Sequence, residues 1–577
     1  MRPNTLFGIS VYLLLSVTWV QSQDNERSKD GGITIGLDNS VIPDSSAEHP
    51  MVISHPDDQP LCTPKVVIEP SQPLKVLDGY ESYVLANDIK NPRKIIVDHA
   101  NHILVISGTQ SVYSVRMDEC GNSDSKQILS SAQVGDQPLG GGIAQAGGRI
   151  YITTADSLWA FDYSDGQHTE LGNGVMIIDN INPTDSKQQQ QGEGETQSDI
   201  AIDPFGKGYV PRSVKRVTES TEAKDAIIKR FDLSDLPDQP LDYENDGEVF
   251  AIGTNTHGYM GFDAQARLWG IELLANIIKR PDMYGDLYQT GLATDINLYD
   301  SPSKNYGFPY CFSEYDLEPN MPESKGKGSQ WGLPIFANET GSIDAYCENI
   351  KNNQGPAIPI PSNTHAAGIF FYMGNFCSVG TSDSLGTSVG LPCDWTDTPL
   401  VAYHGVDGKE AGHSVVHLPL NDLGHKPEWD KSVEVVLEAE EPCGTSDDKA
   451  CIGPVGLAVD KFGRLLVSSD TTDEIFIVYR KYNEDAAKEL TDEANRKEAF
   501  ADQHSDDEDE VEVEVEVEGE ENKNGTDTEV SDGEKQEEEG ENGQEEEGKP
   551  VVSGEEPVEE EKQVEEEEVE ENKEADE

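Results

Sequence analysis

Three histidines and two carboxylates have the residue types and settings for chemistry in this 577-residue chain. His257 lies in "NTHGYMGFD", His365 in "SNTHAAG" and His404 in "AYHGVDG". An imidazole titrates near neutral pH, so each could take a proton from a substrate hydroxyl. The bland reading of His257 is a turn histidine bonded to backbone, and that of His365 is a loop role. Glu272 and Asp295 offer the hard oxygen donors that calcium takes. A solvated loop carboxylate is the commoner role for such residues. The run "GGGIAQAGG" from Gly140 raises the question of a phosphate-cradling loop. Such a loop must feed the N-terminus of a helix. Here a strand-like run follows, with no Lys-Ser/Thr pair after the glycines, and the nucleotide reading fails.

The elements that must position these residues are strands. Between 61 and 482 short apolar runs alternate with turns, and helical periodicity is scarce. One pattern recurs: "IIVDHANHILVI" from Ile95, "GIAQAGGRIYIT" from Gly142, "IAIDPFGKGYVP" from Ile200, "MGFDAQARLWGI" from Met260 and "GLAVDKFGRLLVSS" from Gly456. Each reads as a strand, a short turn and a second strand, a repeated β-hairpin. Asp98, Asp203, Asp263 and Asp460 open four of the turns, where a carboxylate accepts backbone N–H bonds. They read as turn-formers rather than metal ligands. "GIFFYMGNFC…DTPLVAYHG" from Gly368 is a sixth copy with a long insertion. A hairpin of one type repeated at long intervals favours radial repetition over a β-sandwich. The predicted fold is all-β, a six-bladed β-propeller.

The chain ends read differently. Residues 1–22 form a secretory signal, with Arg2 ahead of an apolar run. Residues 23–60 are a polar linker, 483–500 a helical linker, and 501–577 an acidic tail expected to be disordered. The net charge is −69, and the tail alone holds 37 acidic residues against 5 lysines. So acidic a chain excludes nucleic acid as a partner. No stretch after the signal reaches the ~20 apolar residues of a membrane span. The eight cysteines fit a secreted, disulfide-bonded protein. Proximity pairs Cys377 with Cys393 and Cys443 with Cys451; elimination leaves Cys311–Cys347 and Cys62–Cys120. Asn338 and Asn524 sit in glycan-acceptor sequons.

Four stretches carry a family resemblance: "DAIIKRFDLSDLPDQPLDYENDGEVFAIG" from Asp225, "KNYGFPYCFSEYDL" from Lys304, "GKGSQWGLP" from Gly326 and "GPVGLAVDKFGRLLVSSD" from Gly453. With "NPRKIIVDHANHILVI" from Asn91, they resemble the soluble quinoprotein sugar dehydrogenases over roughly 90–482. The fungal-type pyranose dehydrogenases, related to the sorbosone dehydrogenases, look most similar. The resemblance implies a six-bladed propeller with pyrroloquinoline quinone (PQQ) over its channel and calcium beneath. It also implies a histidine base and arginines against the carboxylates of PQQ. In this sequence the base position falls on Gly141. A second histidine and an arginine position fall on Glu195 and Ser198, and another arginine position on Asn255. His404 matches a channel histidine of the family, while His365 matches one only after a shift.

The scaffold motifs are therefore present and the redox-site motifs altered. The expected function is a secreted carbohydrate- or matrix-binding propeller with impaired catalysis. One alternative is an active PQQ-dependent sugar dehydrogenase with a modified pocket, where His257, His365 or His404 has taken over as base. The other is an extracellular cation-binding protein, whose tail holds Ca2+ or basic proteins.

Overall fold

The computed structural model describes residues 64–481, except 119, 183–197, 215–216, 257–258, 274–279, 281–290, 318–323, 338–341, 375–376, 378–388, 407–408, 422–426, 428–432, 442 and 444–450. The signal, both linkers, the tail, Cys62 and both sequon asparagines lie outside the described residues.

Six blades, each with four antiparallel strands, follow one another along the chain; blades 2, 3 and 5 carry a short fifth strand at the outer edge, Leu241–Asp242, Lys304–Asn305 and Leu74–Val76. Blade 1 is Pro92–Val97, His102–Ser107, Ser111–Met117 and Ser123–Ser130, and blade 2 is Leu139–Ala146, Arg149–Thr154, Leu158–Asp162 and Val175–Asp179. Blade 3 is Ala201–Ile202, Lys207–Arg212, Ile227–Asp232 and Glu248–Ile252. Blade 4 is Met260–Phe262, Leu268–Glu272, Ala293–Tyr299 and Ile358–Pro361. Blade 5 is Ala366–Phe371, Pro399–Tyr403, Ser414–His417 and Glu434–Ala439. Blade 6 takes Pro454–Val459, Leu465–Ser469 and Glu474–Arg480 from the end of this region, and Tyr80–Ala86 from its beginning. The first strands of successive blades touch in a closed ring, blade 6 meeting blade 1, which makes the architecture a six-bladed propeller. All six sequence hairpins are the first two strands of a blade.

Both faces of each blade are buried against its neighbours, so strands carry near-continuous β-branched and aromatic runs. Between blades 1 and 2, Ile96, Leu104 and Ile106 pack with Leu139, Ile150 and Phe161. The turn aspartates do the work read from the sequence. Asp203 accepts the N–H groups of Phe205 and Lys207 at 2.9 Å each, and Asp460 those of Phe462 and Arg464 at 2.9 Å each. Asp263 does the same for Gln265 and Arg267, and also takes the Trp269 indole N–H at 2.8 Å. Asp98 takes the His102 N–H at 2.7 Å.

Between the third and fourth strands of blade 4 the chain builds a small module whose Phe312, Trp331, Leu333 and Phe336 pack in one core with Val214, Val217 and Ala226 of blade 3. Cys311–Ser313 pairs with Gln330–Gly332, and a short helix, Ile343–Glu348, is tied back by Cys311–Cys347. Ser342 caps this helix by accepting the Ala345 N–H. Six residues are too few for periodicity to announce a helix. Cys377–Cys393 and Cys443–Cys451 are also joined, and Cys120 is disulfide-bonded.

Candidate functional site

The first strand of every blade begins on the same face of the ring, and second strands end there. This topology gathers one mouth from distant parts of the chain. Side chains alternate along a strand, so residues two apart stack in layers. Arg93, Gly141, Tyr259, Ala367 and Val455 line the upper channel, with Ile95, Gly261, Ile369 and Leu457 below them. The channel is open to solvent at its mouth and offers water-sized groups about 50 Å³. A water needs roughly 10–15 Å³, so this volume holds a few water-sized groups.

Gly140 to Gly142 enter this channel from blade 2. A side chain on Gly140 would meet Thr153 Oγ1 at 2.6 Å and Ser198 Oγ at 2.8 Å. One on Gly142 would meet the backbone of Asp199 and Ile200 at 2.7–2.8 Å. These two glycines let blade 3 approach. Gly141 differs: a Cβ there is 3.7 Å from the Ser198 carbonyl and 3.8 Å from Arg93 Nη2, both ordinary contacts. Packing therefore demands glycine at 140 and 142 but not at 141. Gly142→Ala should cost about 1–3 kcal/mol from overpacking, whereas Gly141→Ala should stay within about 0.5 kcal/mol. Urea midpoints compare the two; equal losses would refute the distinction.

Ser198 and Asn255 are both tied to backbone. Ser198 is buried, and its hydroxyl donates to the Thr154 carbonyl at 2.7 Å. Asn255 is also buried: its amide accepts the Val214 N–H at 2.7 Å and donates to the Val214 carbonyl at 3.2 Å. Glu195 and His257 lie outside the described residues.

His404 and His365 do meet at the mouth. The His404 N–H donates to the His365 carbonyl, and the His404 ring lies 2.8 Å from both the Gly405 carbonyl and Asp470 Oδ1. Those two acceptors occupy both ring nitrogens. His365 is exposed and holds left-handed backbone at φ 49°. Partial desolvation by the mouth walls, then the neighbouring His404, lower its affinity for a proton.

Sequence reasoning passed over four charged residues here. Lys94 of blade 1 reaches Asp199 ahead of blade 3, Nζ to Oδ1 being 2.8 Å, and the Asp199 side chain is wholly buried. Burial pushes the Asp199 carboxyl up, opposed by Lys94. Arg93 is 6% exposed. Asp470 holds His404. The available signal was "PRK" opening an otherwise apolar inner strand.

Glu272 and Asp295 pair across adjacent strands of blade 4. Glu272 accepts from Asn297 Nδ2 at 2.9 Å and Asp295 from Ser313 Oγ at 2.7 Å. Asp295 Oδ1 and Asn297 Oδ1 are buried with no hydrogen-bond partner. The donors are all oxygens, two of them carboxylates, a set that could hold a hard cation such as calcium. Burial pushes Asp295 up to about 7. Burial, then the Asp295 charge, raise Glu272 well above the usual carboxylate range. Groups raised on folding stabilise when protonated, and that stability is lost as pH rises through the folded value. In chelator, stability should therefore increase as pH falls from 7 towards 4, and Asp295→Asn should flatten the dependence. A profile unchanged by that substitution would refute the assignment.

His413 lies near Cys443 and Cys451, with the donor atoms of all three within 4.8 Å. The two sulfurs are spent in their disulfide, and the cluster is no metal centre in this state.

A model of the TrAA12-like family matches residues 74–481. The chain belongs to the TrAA12-like family. This places it in the quinoprotein sugar dehydrogenase superfamily that the sequence motifs implied. It is 22% identical, over 423 residues, to a pyrroloquinoline quinone-dependent sugar dehydrogenase of Hypocrea jecorina, covering 70% of this chain and 88% of that one. The holo form of the pyranose dehydrogenase PQQ domain of Coprinopsis cinerea superposes with a TM-score of 0.57 at 19% identity, over 73% of this chain and all of that one. A calcium structure of the Trichoderma reesei Carbohydrate-Active Enzymes Family AA12 gives 0.58 at 19% identity, with the same coverage. At such identity the solved structures establish the fold alone. Among the described residues no helix is long and apolar enough to cross a membrane.

Proposed function

We propose that this TrAA12-like protein is secreted and binds carbohydrate at its channel mouth without oxidising it through PQQ. One observation carries the reading: position 141, where the resemblance puts the catalytic base, has no side chain, although the backbone around it would accept one. Losing a positioned general base typically costs 10²–10⁴-fold in rate. His404 is no simple substitute, because a carbonyl and a carboxylate occupy both its ring nitrogens.

The charge at the mouth argues the same way. PQQ brings three carboxylates, and buried anions require paired positive charge. Lys94 is committed to Asp199 and His404 to Asp470. Among the described residues that line the channel, Arg93 is one guanidinium, itself already engaged, against three carboxylates, and Ser198 and Asn255 stand at the resemblance's arginine positions. This donor set does not fit PQQ. The oxygen set at Glu272, Asp295 and Asn297 does fit calcium, as a structural ion in blade 4.

The test adds PQQ and Ca2+ to the purified full chain, then follows quinone absorbance and dye reduction with a panel of aldoses. No turnover is expected, while calorimetry with sugars registers binding. Stoichiometric PQQ uptake with turnover would overturn the proposal.

A further inference from the structure

We propose that residues 163–171 form an acid-released clasp, held to blade 1 at neutral pH through a serine hydroxyl shared by His102 and His168, and freed when both rings are protonated. The inference is independent of the carbohydrate reading. The segment joins the third and fourth strands of blade 2 and crosses onto blade 1, on the ring face opposite the mouth. Its Tyr163 hydroxyl and Gly166 N–H donate to Asp98 Oδ2 at 2.7 and 2.6 Å, and its Leu171 N–H donates to the Ile128 carbonyl at 2.8 Å. Beneath it lies His102, only 9% exposed. A side chain on Gly166 would begin 3.2 Å from Ala100 Cβ and 3.9 Å from His102 Nε2, so the segment rests on the imidazole. The His168 ring stands at right angles to that of His102, with 5.8 Å between centroids.

Ser114 is fully buried, and its Oγ lies 3.3 Å from His102 Nδ1 and 3.1 Å from His168 Nδ1. A hydroxyl has one hydrogen to give. It donates to one ring and accepts an N–H from the other, which serves two neutral imidazoles or one neutral and one charged. Two imidazolium rings would both aim N–H at the same oxygen. The hydroxyl hydrogen would then lack an acceptor, and two like charges would stand side by side. The surrounding charges leave little room for the second proton. Asp98 already accepts from the His102 N–H, Tyr163 and Gly166. Asp124, 3.3 Å from His168 Nε2, is shared with Arg116 at 3.1 Å. Lys126 stands across from Ser114 on the neighbouring strand. His99 and Asp165 pair with each other at 3.3 Å, and Glu170 is exposed. Burial lowers the proton affinity of His102, opposed by Asp98, while His168 and Arg116 lower it further.

Below about pH 6.5, the ordinary imidazole value, the released segment and its histidines thus hold one proton more than the clasped form. The clasp is stable above that value and loses stability as pH falls, so release should gain about tenfold per pH unit, or about 30-fold between pH 6.5 and 5. Hydrogen exchange of the full chain at pH 7.5 and 5.0, corrected for the intrinsic pH dependence of exchange, measures this. Peptides covering 163–171 should exchange about 30-fold faster at the lower pH, while Leu465–Ser469 keeps its protection. Blade 4, with its own pH dependence, is read from separate peptides. His102→Gln/His168→Gln should remove most of the acid response, and circular dichroism at pH 7.5 establishes that this variant is folded. Equal protection of 163–171 at both pH values, an acid response that survives in the folded double variant, or an equal gain in every blade would each overturn the inference. The wild-type comparison is decisive by itself should the double variant not fold.

Discussion

Lys94→Met should lower the unfolding free energy by about 3–5 kcal/mol, because it strands a carboxylate inside the protein. Asp199 has no exposed side-chain surface, and its Oδ1 takes the Lys94 Nζ. The remaining contacts of the carboxylate are the N–H groups of Ile200 at 2.8 Å and Met260 at 3.2 Å. Two neutral donors do not offset the desolvation of a full charge. The wild-type pair itself contributes little net stability, since burying both ions costs nearly what their attraction returns. The asymmetry supplies a control. Lys94→Met/Asp199→Asn removes the charge, keeps an acceptor, and should recover most of the loss. Urea unfolding of the two variants measures the difference. A single variant within about 1 kcal/mol of wild type would show that the ion pair does not join blades 1 and 3 as described.

Replacing both Cys311 and Cys347 by serine should cost about 4 kcal/mol, the chain-entropy value for a bridge spanning 36 positions. The loss should be local. The bridge closes the helix onto the Cys311–Ser313 and Gln330–Gly332 pair, at the outer side of a core that Phe312, Trp331 and Phe336 share with Val214, Val217 and Leu292 of the propeller. Hydrogen exchange should therefore quicken in Cys311–Ser313 and Gln330–Gly332, leaving strands such as Leu465–Ser469 protected. Uniform loss of protection would mean that the module and propeller unfold as one unit.

Five of the six hairpins were legible because they are local: two apolar runs and a turn lie within about a dozen residues, and in four of them an aspartate opens the turn. The third and fourth strands of each blade were harder, since "SDSKQILS" or "EVVLEA" carries no such punctuation. Tyr80–Ala86 was not legible as part of blade 6, because nothing in a strand's own residues names a partner at the far end of the domain. The site was half legible. Gly141, His365 and His404 stood out from their motifs and lie at one face of the ring, and Glu272 and Asp295 stood out as residue types, though not as cross-strand partners. Ser198 and Asn255 were flagged for what they replace, yet each is held by backbone. Arg93, Lys94, Asp199 and Asp470 went unread because their meaning lies in pairings between blades, which no periodicity encodes.

The way the ring closes has a consequence for how the protein is made. Apart from one bridge to Ile68, Tyr80–Ala86 pairs with Glu474–Arg480, and Glu81 and Tyr479, bonded across that seam, stand 398 positions apart. At about 5–20 residues per second, the ribosome needs roughly 20–80 s to supply the second strand after the first has emerged. Through that interval the early strand is an unpaired edge, the kind that recruits neighbouring chains. Newly made protein is thus most vulnerable to aggregation just before its last blade is delivered, and nascent chains arrested before residue 474 should bind holdase chaperones that released full-length chains no longer need.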